Sequence, residues 1–140
     1  MPDSTSWVNA ACATAAGGRV HTDDGELSSA LASPLAPSSS GLTPEQLLAA
    51  AFASCLHHAA VEAATEVTDE SHTVQVRAEA RLGRDGDGRY RADVRASIGS
   101  AGLSRDQLAE LVEHAERIWP FSGGDERHSL TVSPAQPPGR

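Results

Sequence analysis

Hydrophobic and polar positions change their period twice along this chain. From Thr73 to Leu82 they alternate strictly: Val74, Val76, Ala78, Ala80 and Leu82 fall on one face, Gln75, Arg77, Glu79 and Arg81 on the other. Tyr90 to Ile98 repeats the alternation, and Asp85-Gly86-Asp87-Gly88 lies between the two runs. This pattern predicts a β-hairpin with one buried and one wet face. The period then lengthens, with Leu108, Leu111, Val112, Ala115 and Ile118 recurring at helical spacing. Ser104 and Gln107 form a capping box in front of that helix and Pro120 closes it. Upstream, Thr43-Pro44-Glu45-Gln46 combines an N-cap residue, a proline at the first helical position, an acid in the first turn and a glutamine three after the cap. The helix it opens is expected to run to about Glu66. Residues 47–56 (LLAAAFASCL) are apolar almost all round, so this helix is expected to be buried on most sides and to run through the core. Short strands are expected at Trp7–Thr14, Arg19–Thr22, Glu26–Leu31 and Leu130–Val132, with turns at Gly17-Gly18-Arg19 and Asp23-Asp24-Gly25. Residues 33–41 read as a loop and 135–140 as a frayed tail. Segregated strands and helices indicate an α+β domain, taken to span 1–134, rather than a doubly wound parallel sheet.

Composition narrows the function classes. The 140 residues suit one domain. Eleven basic residues, every one an arginine, face nineteen acidic ones, for a net charge of −8. Phosphate would repel such a chain, so neither nucleic acid nor an anionic membrane is an expected partner. With no lysine, Schiff-base and P-loop lysine chemistry is excluded. Hydrophobic residues make up 39% but aromatics only 4%, so the core must be built from Ala, Leu and Val. Small side chains bury little area each, and a dimer sharing its core relieves that shortage. Two cysteines cannot make a disulfide-dense scaffold. No basic and apolar leader opens the sequence, and the longest near-apolar run is too short to span a bilayer. The expectation is a cytoplasmic protein with reduced thiols.

Most site chemistries fail on the residues. Asp85-x-Asp87 begins like a calcium loop but continues with Arg89 and Tyr90 where an acid and a glycine are needed. No GxGxxG, Walker or GxSxG motif occurs. The histidines lack zinc spacing; adjacent His57 and His58 point about 100° apart on a helix and read as amphipathic edge residues, so no metal is expected. Cys55 shares a helical stripe with Leu48, Phe52 and Ala59. On the residues alone it reads as a small buried hydrophobe. Reactivity would need a nearby cation, and Cys55 sits too deep in its helix for the dipole to supply one.

Several segments nevertheless form a pattern. Gly17-Gly18-Arg19, Gly41-x-Thr43-Pro44-Glu45-Gln46-Leu47 and Ala50-x-x-x-Ser54-Cys55 resemble the organic hydroperoxide resistance proteins of the OsmC/Ohr superfamily. Ile118-Trp119-Pro120-Phe121-Ser122 resembles their second-cysteine segment, and the match spans roughly residues 12 to 132. The resemblance implies antiparallel sheets packed around a long buried central helix in an intertwined homodimer. It implies a thiol peroxidase that reduces organic hydroperoxides, with no bound cofactor and an external thiol or dithiol as reductant. Cys55 matches the peroxidatic cysteine, Arg19 the arginine that stabilises its thiolate, and Glu45 the glutamate that orients that arginine. Phe52, Trp119 and Phe121 are the expected substrate-pocket residues. The chain departs from the pattern at Trp119, where the family has its resolving cysteine. The usual intramolecular disulfide is therefore lost, and a one-cysteine peroxidase acting through a Cys55 sulfenic acid is expected. The alternative is a non-catalytic OsmC-like protein that binds or senses a small apolar ligand. A hydrolase lacks support, since no His/Asn partner can be assigned to Cys55, although His58 is close in sequence. Cys12, the other thiol, lies up to about 23 Å from Arg19 if the chain is extended and reads as a strand residue. Glu45 and Cys55 lie about 15 Å apart along a continuous helix. Arg19 and Glu45 of one subunit are therefore expected to complete the site around the other subunit's cysteine.

Overall fold

The structure is a computed structural model that describes residues 6–7, 9–32, 40–66, 73–118 and 128–135. The chain divides into two compact units, Met1–Pro44 and Glu45–Arg140.

In the N-terminal unit three short strands, β1 (Ala13–Ala16), β2 (Arg19–Thr22) and β3 (Ser28–Ala30), form an antiparallel sheet in that order. Gly17 and Gly18 join β1 to β2 with φ of 59° and 76°. Two consecutive positive φ values make a hairpin turn whose twist matches the strands, and glycine meets that demand without strain. The first strand begins later than the alternation suggested, and Trp7 is 87% exposed, so the Trp7–Thr14 expectation is corrected to Ala13–Ala16. Alanines alternating with small polar residues carry too little periodic signal to fix a strand end. In the β2–β3 turn the Thr22 hydroxyl donates to Asp24 Oδ1 at 2.7 Å and the Glu26 N–H donates to the same oxygen at 3.0 Å. Those bonds hold the Asp24 carboxyl below its ordinary value of 3.8, the Thr22 bond contributing most. Residues 30 and 42 meet again across the loop: Leu42 N–H donates to the Ala30 carbonyl at 2.9 Å and Ala32 N–H to the Leu42 carbonyl at 2.8 Å.

The C-terminal unit holds α1 (Pro44–Ala64), β4 (Val74–Arg84), β5 (Tyr90–Ser100), α2 (Arg105–Ile118) and β6 (His128–Pro134). Strands β4 and β5 pair antiparallel from Val74↔Ser100 to Arg84↔Tyr90. Their buried face is the expected one at one end, with Val74, Val94, Ala96 and Ile98 inside and Arg77, Arg81, Arg91 and Arg95 outside, but at the hairpin end Leu82 and Tyr90, expected on that face, are exposed. The capping box of α2 forms in full: Gln107 N–H donates to Ser104 Oγ at 3.2 Å and Ser104 N–H to Gln107 Oε1 at 2.9 Å. Strand β6 runs parallel to β5, from Ala92↔His128 to Ile98↔Pro134. The sheet is therefore mixed rather than antiparallel throughout, because α2 carries the chain back across it, as a parallel neighbour requires. The core gathers Leu56, Ala59, Ala60 and Ala63 of α1 with Ile98 of β5 and Leu111 and Ala115 of α2.

Helix α1 departs most from expectation. By length and composition it is apolar enough to cross a membrane, yet only 28% of its apolar window is buried. Every fully buried residue lies in the C-terminal half: Leu56, Ala59, Ala60, Ala63 and Ala64. Leu47, Leu48 and Phe52 are half-buried and Ala50, Ala51 and Ser54 exposed. Burial on most sides is thus not met within one chain. Apolar composition indicates that a helix needs cover; it does not say that its own chain supplies it.

Candidate active site

Cys55 is a free, half-buried thiol in the middle of α1. With Phe52, one turn before it, it packs against the core cluster. At about 100° per residue, Leu56, Ala59 and Ala63 form the centre of the buried stripe and Cys55 lies at its edge. On the outward side of Cys55 lie Ala51 and His58, both exposed. The Ser54 hydroxyl donates back to the Ala50 carbonyl at 2.8 Å and is committed to its own helix. The sulfur is therefore neither sealed in hydrocarbon nor fully solvated. The sequence-only reading of Cys55 as a buried hydrophobe is corrected accordingly.

Glu45 stands half-buried in the first turn of α1, where the helix dipole favours a carboxylate. The helix is unbroken between Glu45 and Cys55, so their ten-residue separation leaves them about 15 Å apart along its axis. Within the C-terminal unit these two expected site residues are not brought together.

Arg19 belongs to the N-terminal unit. It opens β2 directly after the two positive-φ glycines, opposite Ala16 on one side and Ala30 on the other, and is exposed. Small neighbours on both strands leave room around a long guanidinium side chain. Val20 points to the opposite face and is buried. Cys12 is exposed; its carbonyl accepts the Asp23 N–H at 2.9 Å, which continues the β1–β2 ladder by one residue. Trp119 and Phe121, expected to line the pocket, lie outside the described residues.

A shallow cavity of about 450 Å³ lies at the far end of the β4–β5 hairpin, lined by Arg81, Arg84, Asp85, Arg91 and Asp93, and Cys55 takes no part in it. Asp93 holds Arg81 there, with Nε donating at 3.0 Å, and that bond raises the Arg81 pKa above its ordinary value. Among the described residues no cluster of three or more His, Cys, Asp or Glu side chains could hold a metal ion. His58 is the site neighbour that sequence reasoning set aside. Its i+3 spacing from Cys55 is the signal the sequence carries for it.

Comparison with known proteins agrees with this architecture. The family model for OsmC-like proteins matches residues 37–124. The organic hydroperoxide resistance protein OhrB of Bacillus subtilis is 33% identical over 119 residues, covering 78% of this chain and 84% of that protein. The crystal structure of that OhrB superposes with a TM-score of 0.77 at 26% identity, covering 91% of this chain and 98% of that one. An organic hydroperoxide resistance protein OsmC from Legionella pneumophila gives 0.79 at 25% identity, covering 94% and 100%. With this α+β arrangement of two sheets and two helices, and that share of the sequence matched, the chain belongs to the OsmC-like family.

Proposed function

We propose that this protein is a thiol-dependent peroxidase that reduces organic hydroperoxides to alcohols, with Cys55 as nucleophile. One observation carries the reading: Cys55 is a free thiol at the edge of the core, beside a stretch of helix that is only half-buried among the described residues. Its kinship with organic hydroperoxide resistance proteins supplies the substrate class. The thiolate attacks the distal oxygen of R–O–OH, the O–O bond breaks, and the R–O oxygen leaves to become the alcohol. Cysteine is oxidised by two electrons to a sulfenic acid. An external thiol then condenses with the sulfenic acid, releasing water, and a second thiol displaces the reduced cysteine from the mixed disulfide.

Arg19 supplies the positive charge that a thiolate requires, and Glu45 orients it through a carboxylate–guanidinium pair. Because the unbroken α1 separates Glu45 from its own Cys55, Arg19 and Glu45 of one protomer act on Cys55 of its partner. The half-buried N-terminal half of α1 supports the same homodimer, since a second copy would complete the burial of Leu47, Leu48 and Phe52. With Trp119 where relatives of this kind carry a resolving thiol, turnover uses one cysteine per site, and no bound cofactor enters the cycle. The free thiols Cys12 and Cys55 suit a reducing, cytoplasmic compartment.

Trp119 also favours a second reading, a protein of the same fold that holds an apolar ligand without turnover. One experiment separates the two. After one equivalent of cumene hydroperoxide, mass spectrometry should find one added oxygen on the Cys55 peptide. Steady-state turnover with a dithiol should vanish in Cys55→Ser and persist in Cys12→Ser. An unmodified Cys55 peptide, or a Cys55→Ser variant that still turns over, would remove the peroxidase reading.

A further inference from the structure

We infer that His58 is the proton donor to the departing alcohol oxygen. The inference rests on the peroxidase reading and adds to it a residue that the Cys55, Arg19 and Glu45 set does not include. When the O–O bond of an alkyl hydroperoxide breaks, its electron pair leaves as an alkoxide, a strongly basic group. Reduction is easier if a proton is handed over as the bond opens. Neither an arginine, which keeps its proton, nor a carboxylate, which at neutral pH has none to give, suits that task.

The geometry of α1 limits the candidates. Residues three apart on a helix are neighbours, their Cβ atoms about 5–6 Å from one another. Cys55 has its core neighbours, Leu56 and Ala59, on the inner side. On its outer side the residues one turn away are Ala51 and His58. Ala51 carries no exchangeable proton. Ser54, adjacent in sequence, already donates its hydroxyl proton to the Ala50 carbonyl. His58 is exposed, so it can exchange protons with solvent between turnovers. Imidazole also gives and takes protons near neutrality. His57 points to roughly the opposite side of the helix from Cys55, which makes it a matched control.

In the step itself the Cys55 sulfur bonds to the distal oxygen and becomes the sulfenic acid. The O–O bond breaks, the alkoxide oxygen takes a proton from the His58 ring, and the alcohol leaves. The imidazole regains its proton from water.

A leaving group that needs no proton tests the role. Peracids react at the same distal oxygen but expel a carboxylate, which is stable without protonation. Rates of Cys55 oxidation should be measured in single turnover for the wild type, His58→Gln and His57→Gln, with tert-butyl hydroperoxide and with peracetic acid. His58→Gln should slow the alkyl hydroperoxide on the order of 100-fold and leave the peracid rate within about twofold. His57→Gln should change neither. An unchanged alkyl hydroperoxide rate in His58→Gln, or an equal loss with both oxidants, would overturn the role. A wild-type Cys55 that reacts with neither oxidant would instead remove the peroxidase reading itself, and the inference with it.

Discussion

At Gly41 a single hydrogen atom decides the local structure. Its φ is +126°, and a Cβ there would collide with the Ala30 carbonyl oxygen. That oxygen accepts the Leu42 N–H, so a side chain at 41 would push Leu42 away from the end of β3. Gly41→Ala should cost about 1–3 kcal/mol, read as a lowered denaturant midpoint with little change in slope. In the sequence the residue belongs to a segment that resembles the family, and its physical reason lies in the close approach of Ala30. Cys55 shows the opposite case. Its stripe with Phe52 and Ala59 was legible from spacing, but not its place at the rim of the core, because periodicity gives direction around a helix and not the depth of what covers it.

Elements were legible in proportion to how much of their stability is local. The β4–β5 hairpin declared itself by alternation, and α2 by its cap and stripe. Ser104→Ala removes the side-chain acceptor for the Gln107 N–H and should cost about 1 kcal/mol, measured by thermal or urea unfolding. The turn between β2 and β3 is also local, and its charge makes it sensitive to pH. The folded Asp24 carboxyl titrates below its ordinary value, so it stabilises the fold above about pH 4, and the benefit fades as pH falls through the lowered folded pKa. Asp24→Asn should therefore unfold at a lower temperature than the wild type at pH 7, with the two melting temperatures converging as pH falls below the lowered folded pKa. The parallel pairing of β6 was not legible, because strand direction follows from the crossover and not from the strand's own residues. Nor was the start of β1, where four small residues bury nothing that a pattern could register.

For the molecule as a whole, the sparse aromatic content and the half-covered α1 point the same way. A chain that makes its core from alanine and leucine has little surface to spare, yet α1 leaves Leu47, Leu48 and Phe52 only half-buried. If two copies share those surfaces and complete each other's sites, specific peroxidase activity should fall with dilution through the dimer dissociation range. Phe52→Asp should yield monomers in sedimentation and lose activity together with association. A Phe52→Asp monomer as active per thiol as the wild type would count against shared sites. The Cys55, Arg19 and Glu45 trio could be named from sequence only by resemblance, because no spacing or periodicity within the chain relates a turn arginine to a cysteine in the middle of a helix.

The parallel seating of β6 also bears on how the chain emerges from a ribosome. Strands β4 and β5 can zip as soon as they are made, since their pairing is local. The partner on the other flank of β5 arrives only after α2 and the rest of the crossover have been synthesised. Throughout that interval β5 carries an open row of backbone donors and acceptors, and a nascent neighbour could pair with it. Translation that stalls before His128 would therefore leave the growing polypeptide most prone to associate with the wrong strand.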